Sequence, residues 1–472
     1  MSRTRGVALL CIGLVLGTTL VTPAGAHVNS SVKHVWKHLK PLAAKVFYTK
    51  KQSDARYYKK ATSDARYYTK AGSDARYYTT AAADARFALK DSDSSFEEYC
   101  ARATASPGSY PAEPCTATLV LTLDAGGVVG KFTSIAIGMD WLPVVSYWDE
   151  TNGDLKILHC GNPACTTGNQ ATAASQAGNV GAGSSLAVGS DGLPVVSYRD
   201  VTNGELEVLH CGNPTCTAGN QVTPVDTGDV GYDTSIVIGT DGFPVVSYIA
   251  AGTPPTLKIF HCTNVACTTG SPTTVDVGPM AVATGTSIAI GADGLPVVSY
   301  YRSQTDDLKV LRCSNVACTA SSGQIVDGAG SVGDFSAIGI GAGGLPVVSY
   351  RDGTNGDLDV LVCDDAACTT SSMTTPDTTG TPASPLGYDT SLVIGADGFP
   401  IVSYYDDAAN GDLKVLDCGD AACTSGNTIV TVDTAGNVGR YSSLAIGADG
   451  VPIVSYTDES NGDLKFARLP LH

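Results

Sequence analysis

Five short segments of this 472-residue chain place an aromatic residue beside a charged one, directly after a glycine. They read Gly130-Lys131-Phe132, Gly231-Tyr232-Asp233, Gly333-Asp334-Phe335, Gly387-Tyr388-Asp389 and Gly439-Arg440-Tyr441. Aromatic faces beside carboxylates suit sugars, because a ring covers the apolar face of the ligand while the acid accepts its hydroxyl protons. The candidate ligand-binding residues are therefore Phe132, Tyr232, Asp233, Asp334, Phe335, Tyr388, Asp389, Arg440 and Tyr441. Gly181-Ala182-Gly183 and Thr284-Gly285-Thr286 stand at the same spacing and carry neither group. The plain alternative is that the aromatics close an opening in the fold and bind nothing.

Other constellations point away from catalysis. Ser146, Ser197 and their equivalents recur throughout with no histidine at matching spacing, as a Ser–His pair would need. His159, His210 and His261 share one repeat position, which Arg312 and Val362 fill in the next copies, so they read as strand-end residues. Asp149–Asp154 and Asp406–Asp412 cluster carboxylates of the kind calcium favours. They lack an Asp-x-Asp-x-Asp-Gly loop, and Asn-Gly-Asp is ordinary hairpin chemistry. No catalytic residue, metal or cofactor is expected.

The elements that carry these segments come from a repeat of roughly 51 residues. Pro143, Pro194, Pro244, Pro296, Pro346, Pro400 and Pro452 stand in register within Leu-Pro-Val-Val-Ser-Tyr-like runs. Each copy holds four strand signals divided by turn signals, with no helical period. Asp191-Gly192 and Asn203-Gly204 suit primed hairpin turns. The second strand is apolar on both faces, as a strand between neighbouring sheets requires, and its proline sits at the strand start. Four-stranded sheets at this period define an all-β, seven-bladed β-propeller. The candidate link leads into the innermost strand, at the mouth of the ring.

The last copy supplies only three strands before the chain ends. Cys115 to Asp124 matches Cys423 to Asp433 in position, so the N-terminal strand completes the final blade in a 3+1 closure. The units resemble those of exported bacterial propeller proteins built on Gly-x-Asp-Gly-x-Pro-x-Val-Ser-Tyr, a resemblance that implies the fold and no activity. A sialidase would add an arginine cluster and Ser-x-Asp-x-Gly-x-x-Trp boxes. The propeller has only Arg199, Arg302, Arg312, Arg351, Arg440 and Arg468, and no such box.

Residues 1–26 read as a signal peptide, with Arg3 and Arg5, an apolar run and Ala24-Gly25-Ala26. The fourteen cysteines beyond it pair at short spacing, as disulfides of an exported chain do. Six pairs lie within blades: Cys160 with Cys165, Cys211 with Cys216, Cys262 with Cys267, Cys313 with Cys318, Cys363 with Cys368, and Cys418 with Cys423. Leu469 stands where a seventh in-blade cysteine would be, so Cys115 is expected to bridge to Cys100 in the linker, residues 91–114.

Residues 27–90 form a basic stalk with 14 lysines and arginines against 4 aspartates, whereas residues 91–472 hold 13 against 42 acids. An acidic body excludes nucleic acid as its partner. Four ten-residue units with a shared Asp-Ala-Arg core fill residues 47–86, helical or disordered. They resemble phage tail-fibre-like stalk repeats, which implies a homotrimer. The reading is a secreted, non-enzymatic binding or adhesion protein with no membrane span, whose partner is a glycan or cell-surface polymer. A carbohydrate-active hydrolase or lyase and a stalked scaffold without a small ligand are the alternatives.

Overall fold

The computed structural model describes residues 118–278, 285–407 and 411–470. The signal peptide, stalk, linker and Cys100–Cys115 bridge fall outside them. The described residues contain no helix and form 28 strands in seven four-stranded antiparallel sheets.

Blade 1 comprises β2 (Val129–Ile137), β3 (Pro143–Asp149), β4 (Asp154–His159) and β5 (Gln170–Ser175). Blade 2 runs from β6 (Val180–Val188) through β7 (Pro194–Asp200) and β8 (Glu205–His210) to β9 (Gln221–Asp226). Blades 3 to 6 repeat this order over 232–277, 286–327, 332–377 and 388–433. Blade 7 joins β26 (Val438–Ile446), β27 (Pro452–Asp458) and β28 (Asp463–Arg468) to β1 (Leu119–Asp124). Leu121 pairs with Phe466 and Leu119 with Arg468, which is the 3+1 closure read from the sequence. Leu469 takes the cysteine position: its amide bonds the Pro452 carbonyl as Cys160 bonds Pro143.

The core is seven wedges between neighbouring blades. In one of them Val129, Val145, Tyr147 and Leu158 of blade 1 pack against Ile453, Leu464 and Phe466 of blade 7. The recurrent serine of Val-Val-Ser-Tyr is wholly buried in every blade and bonds a hydroxyl on the innermost strand of the next. The seven pairs are Ser146–Ser184, Ser197–Thr234, Ser247–Thr286, Ser299–Ser336, Ser349–Thr390, Ser403–Ser442 and Ser455–Thr133, at 2.6–3.1 Å. A buried hydroxyl costs stability unless it is paired, and here each satisfies its counterpart.

A second set of bonds ties the innermost strands. The amides of Ile135, Leu186, Ile236, Ile288, Ile338 and Leu444 each donate to a serine of the preceding blade at 3.0–3.2 Å. The junction of blades 5 and 6 lacks this bond because Ala337, packed beside Leu392, stands at the serine position. Ala337→Ser should add the missing bond and raise stability by about 1 kcal/mol, read as a higher urea midpoint. An unchanged midpoint would show that the strands there cannot approach.

The first hairpins are not primed turns. Gly192 N–H bonds the Gly189 carbonyl, Gly189 N–H bonds the Leu193 carbonyl, and Gly192 alone has positive φ, at 84°. This is a type I turn with a left-handed glycine, compatible with the same Asp-Gly pair. In blades 1, 2, 5 and 7 the second hairpins have four-residue loops capped by an aspartate: Asp149 accepts from the Asn152 amide at 3.0 Å and its side chain at 2.9 Å. The acidic turns of blades 1, 2, 5 and 7 thus have a structural task.

All six in-blade disulfides are present. Cys160 is bonded to Cys165, Cys211 to Cys216, Cys262 to Cys267, Cys313 to Cys318, Cys363 to Cys368 and Cys418 to Cys423, with Cα atoms 4.8–4.9 Å apart. The second cysteine of each pair closes a tight turn that spacing alone did not reveal. Cys165, Cys216, Cys267, Cys318, Cys368 and Cys423 all have positive φ, between 50° and 54°. Their amides bond the carbonyls of Asn162, Asn213, Asn264, Asn315, Asp365 and Asp420, three residues back. An Asn or Asp opening each loop is the turn chemistry that brings the two cysteines together.

Candidate functional site

The mouth residues lie within the first strands, at a bulge, rather than in a link before them. In blade 1 Lys131 pairs with Trp148 and Ser134 with Ser146, leaving Phe132 and Thr133 as the irregularity. Phe132, Asp233, Phe335, Asp389 and Tyr441 have φ of 53°, 46°, 54°, 51° and 54°, and glycines 183 and 285 hold the position in the other blades. A side chain in this region costs of order 1 kcal/mol and persists only where its surroundings hold it. Here a hydroxyl of the next blade does so: Ser184, Thr390, Ser442 and Thr133 donate to the carbonyls of Phe132, Phe335, Asp389 and Tyr441 at 2.7–3.0 Å. The bulge presents one residue per blade around the opening.

Seven of the nine candidates are joined by contacts running from blade 5 to blade 1. Phe335 and Tyr388 have ring centroids 5.2 Å apart, and Phe132 and Tyr441 lie at 4.6 Å. Arg440 bridges the two pairs, 5.1 Å from the Tyr388 ring and 5.5 Å from that of Tyr441. Its guanidinium forms an ion pair with Asp389 at 3.2 Å, and Asp389 accepts a hydrogen bond from the Tyr441 amide at 3.0 Å. Asp334 is buried and held by Arg351 at 2.6 Å, and Arg351 in turn covers the Tyr388 ring at 4.4 Å. Burial raises the carboxyl pKa values of both Asp334 and Asp389, with Arg351 and Arg440 offsetting part of the shift.

Tyr232 stands apart from this arc, and Asp233 meets it only through the charge of Asp389. Arg199 lies 3.8 Å over the Tyr232 ring and pairs with Asp229 at 2.7 Å, and the Tyr232 hydroxyl donates to Asp229 at 3.0 Å. The Asp233 carboxyl is pushed up to about 7, chiefly by burial, with the Gly285 amide lowering it and the Asp389 charge adding.

Arg199, Arg351, Trp148 and Tyr405 also belong to the mouth. Trp148 lies 6.1 Å from Phe132, and Tyr405 lies 6.1 Å from Tyr388. All four follow the Ser-Tyr of the second strand, and that position varies where the repeat is otherwise uniform: Trp148, Arg199, Ile249, Tyr301, Arg351, Tyr405, Thr457. The variation was a readable signal, hidden inside the most regular strand.

At the opposite ends of the strands, His159, His210 and His261 bond Asp140, Asp191 and Asp241 at 2.7–2.8 Å, consistent with strand-end pairing. A cleft of about 210 Å³ between blades 6 and 7, lined by Asp397, Ile401, Val415, Asp417 and Leu469, also lies there and includes no mouth residue.

No protein-family model matches the chain, and no curated protein matches it. Solved structures with a similar fold include a protein of unknown function from Dyadobacter fermentans, 12% identical over 62% of this chain and 95% of that one, with a TM-score of 0.42. The NanB sialidase of Streptococcus pneumoniae is 11% identical over 79% of this chain and 72% of its own, with a TM-score of 0.43. An ulvan lyase bound to a sulfated glucuronic acid–rhamnose unit is 9% identical over 71% and 94%, with a TM-score of 0.46. Identities this low leave function to the chain's own residues.

Proposed function

We propose that the protein is an exported, non-enzymatic carbohydrate-binding protein that takes its ligand at the mouth, on the arc from blade 5 to blade 1. The observation that carries this is the run Phe335–Tyr388–Arg440–Tyr441–Phe132, in which rings alternate with the Arg351–Asp334 and Arg440–Asp389 pairs. Rings supply area at low conformational cost, and the charged pairs fix the orientation of hydroxyls. Asp334 and Asp389 are held by arginines, and the recurrent serines are spent on blade junctions. Six disulfides and the absence of a membrane-crossing helix among the described residues suit an extracellular location.

In a glycan array followed by calorimetry on the full chain, Tyr388→Ala and Tyr441→Ala should each weaken binding about tenfold. Tyr232→Ala, outside the arc, should leave affinity within about twofold. Silence of the wild type on the array, or full affinity in both arc variants, would overturn the reading. A second reading rests on Asp233, whose raised pKa suits a general acid facing the Asp389 charge. Release of reducing sugar, abolished by Asp233→Asn, would favour a hydrolase or lyase.

A further inference from the structure

The outer junctions between blades contain a recurring cation. In blades 1, 3, 4, 6 and 7 a lysine of the third strand pairs in register with the buried tyrosine of Val-Val-Ser-Tyr: Lys156, Lys258, Lys309, Lys414 and Lys465. Each ammonium lies against carboxylates. Lys258 meets Asp226 at 2.8 Å, and Lys414 meets Asp406 at 2.6 Å and Asp377 at 3.6 Å. Asp406 ends the second strand of its blade, as Asp200 does in blade 2.

Blade 2 keeps the second-strand aspartate, Asp200, but has neither the lysine nor the fourth-strand aspartate of the preceding blade, where Ser175 stands. Glu207 stands at the lysine position opposite Tyr198, and Glu205 faces Asp200 across the same strand pair. Period-two alternation puts Tyr198, Asp200, Glu205 and Glu207 on one face. Oxygens of the three acids lie within 4.8 Å of one another, and none of the three has an ion-pair partner among the described residues. Like charges opposed across strands are destabilising, and more so when buried. Asp200 is 1% exposed and Glu207 9%.

An independent observation points to the same place. The Tyr198 side chain is fully buried, and its hydroxyl makes no hydrogen bond of normal geometry, although Ser175 and Glu207 adjoin it. The equivalent tyrosine of blade 3 donates to Asp226 at 2.6 Å. Ser175 occupies the corresponding aspartate position in blade 1. A buried phenol without a well-formed hydrogen bond, beside carboxylates that have no counter-ion, is a place an ion can complete.

We propose that the junction of blades 1 and 2 binds calcium through Asp200, Glu205 and Glu207, with the Tyr198 hydroxyl beside the ion. Three carboxylates and a phenol are hard oxygen donors, and calcium accepts irregular shells completed by water. Asp200 already accepts from the Thr202 amide at 2.8 Å and the Asn203 amide at 3.1 Å on Oδ1, and from the Asn203 side chain at 2.6 Å on Oδ2. These bonds fix its carboxylate and leave one lone pair, on Oδ2, for the ion. The partly exposed Glu205 gives the route of entry.

The full chain, stripped with a chelator, should gain about 3 °C in Tm at a hundredfold excess of calcium over Kd. Terbium should give tyrosine-sensitised luminescence that calcium displaces and that Tyr198→Phe reduces. Glu207→Lys, which restores the ammonium of the other blades, should abolish both signals while keeping the fold. Glu207→Gln should weaken calcium binding at least tenfold. The proposal is overturned if calcium leaves Tm and terbium signal unchanged, or if the Glu207 variants respond like the wild type.

Discussion

Replacing Asp433 with alanine should destabilise the propeller by about 3–5 kcal/mol. Asp433 ends the fourth strand of blade 6 and reaches into the closing blade, where its Oδ2 accepts from the Tyr456 hydroxyl at 2.7 Å and from the Lys465 ammonium. The side chains of Lys465 and Asp433 are only 9% and 6% exposed, and Tyr456 is fully buried. Alanine would leave an ammonium and a phenol stranded in the wedge that also packs Val454 and Ala467. Removing one member of a buried pair costs far more than the pair contributes, because the survivor stays desolvated. Asp433→Asn, which keeps an acceptor but no charge, should fall between. The exposed pair Lys131–Glu150 makes the contrast: with side chains 26% and 40% exposed, its loss should cost under about 1 kcal/mol.

The sign of the pH dependence follows. Burial pushes the Asp433 pKa up, but bonds from Lys465, Tyr456 and the Ala435 amide outweigh it, so the folded value lies below the ordinary one. The contribution is therefore present above the usual carboxylate range and lost as pH falls through the folded pKa. Denaturation midpoints of wild type, Asp433→Ala and Asp433→Asn at pH 7 and at about pH 2, below the unfolded aspartate range, would measure it. An alanine variant within about 1 kcal/mol of wild type would show that Lys465 escapes to solvent.

Much of this architecture was legible because it is written locally and seven times. Proline register, strand alternation and cysteine spacing give the blades, the disulfides and the closing strand without any long-range information. The features that escaped depend on a neighbour some forty residues away or on one extra residue. Ser146 looks like an idle hydroxyl until Ser184 of the next blade meets it. The bulge at Phe132 adds a residue that period-two reading cannot see, so the mouth residues looked like a link preceding the strand. Asp-Gly is compatible with two turn types, and the loop bonds, not the pair, decide between them. At the mouth, the aromatic and charged residues were readable as types, but their division into an arc and a separate Tyr232–Arg199 group was not. That division depends on which second-strand side chain reaches each ring.

The other blade that breaks the lysine rule yields the second large effect. In blade 5 Asp359 stands opposite Tyr350, where Lys465 stands opposite Tyr456 in blade 7. Its residue is 2% exposed, and its Oδ1 has no hydrogen-bond partner among the described residues. Burial pushes its pKa up to about 7; a bond from Thr375 lowers it in part, while Asp352, Asp327 and Asp357 raise it further. The folded chain therefore holds a proton that the unfolded chain releases near the ordinary aspartate value. The contribution of Asp359 to stability is greatest below that value, declines as pH rises toward 7, and levels off above it. A shift of about three pH units sets a ceiling of roughly 4 kcal/mol for the loss at pH 8. Asp359→Asn should remove this slope. Asp359→Lys should remove it and also place an ammonium among Asp327, Asp352 and Asp357, giving the higher Tm of the two at pH 8. Tm measured from pH 5 to pH 8 tests both, with the difference between variant and wild type isolating Asp359 from the similarly raised Asp233. Parallel curves for wild type and Asp359→Asn would mean that water reaches the carboxylate and keeps it ionised. A steeper wild-type fall would instead show that this junction keeps a protonated acid where its neighbours keep a lysine.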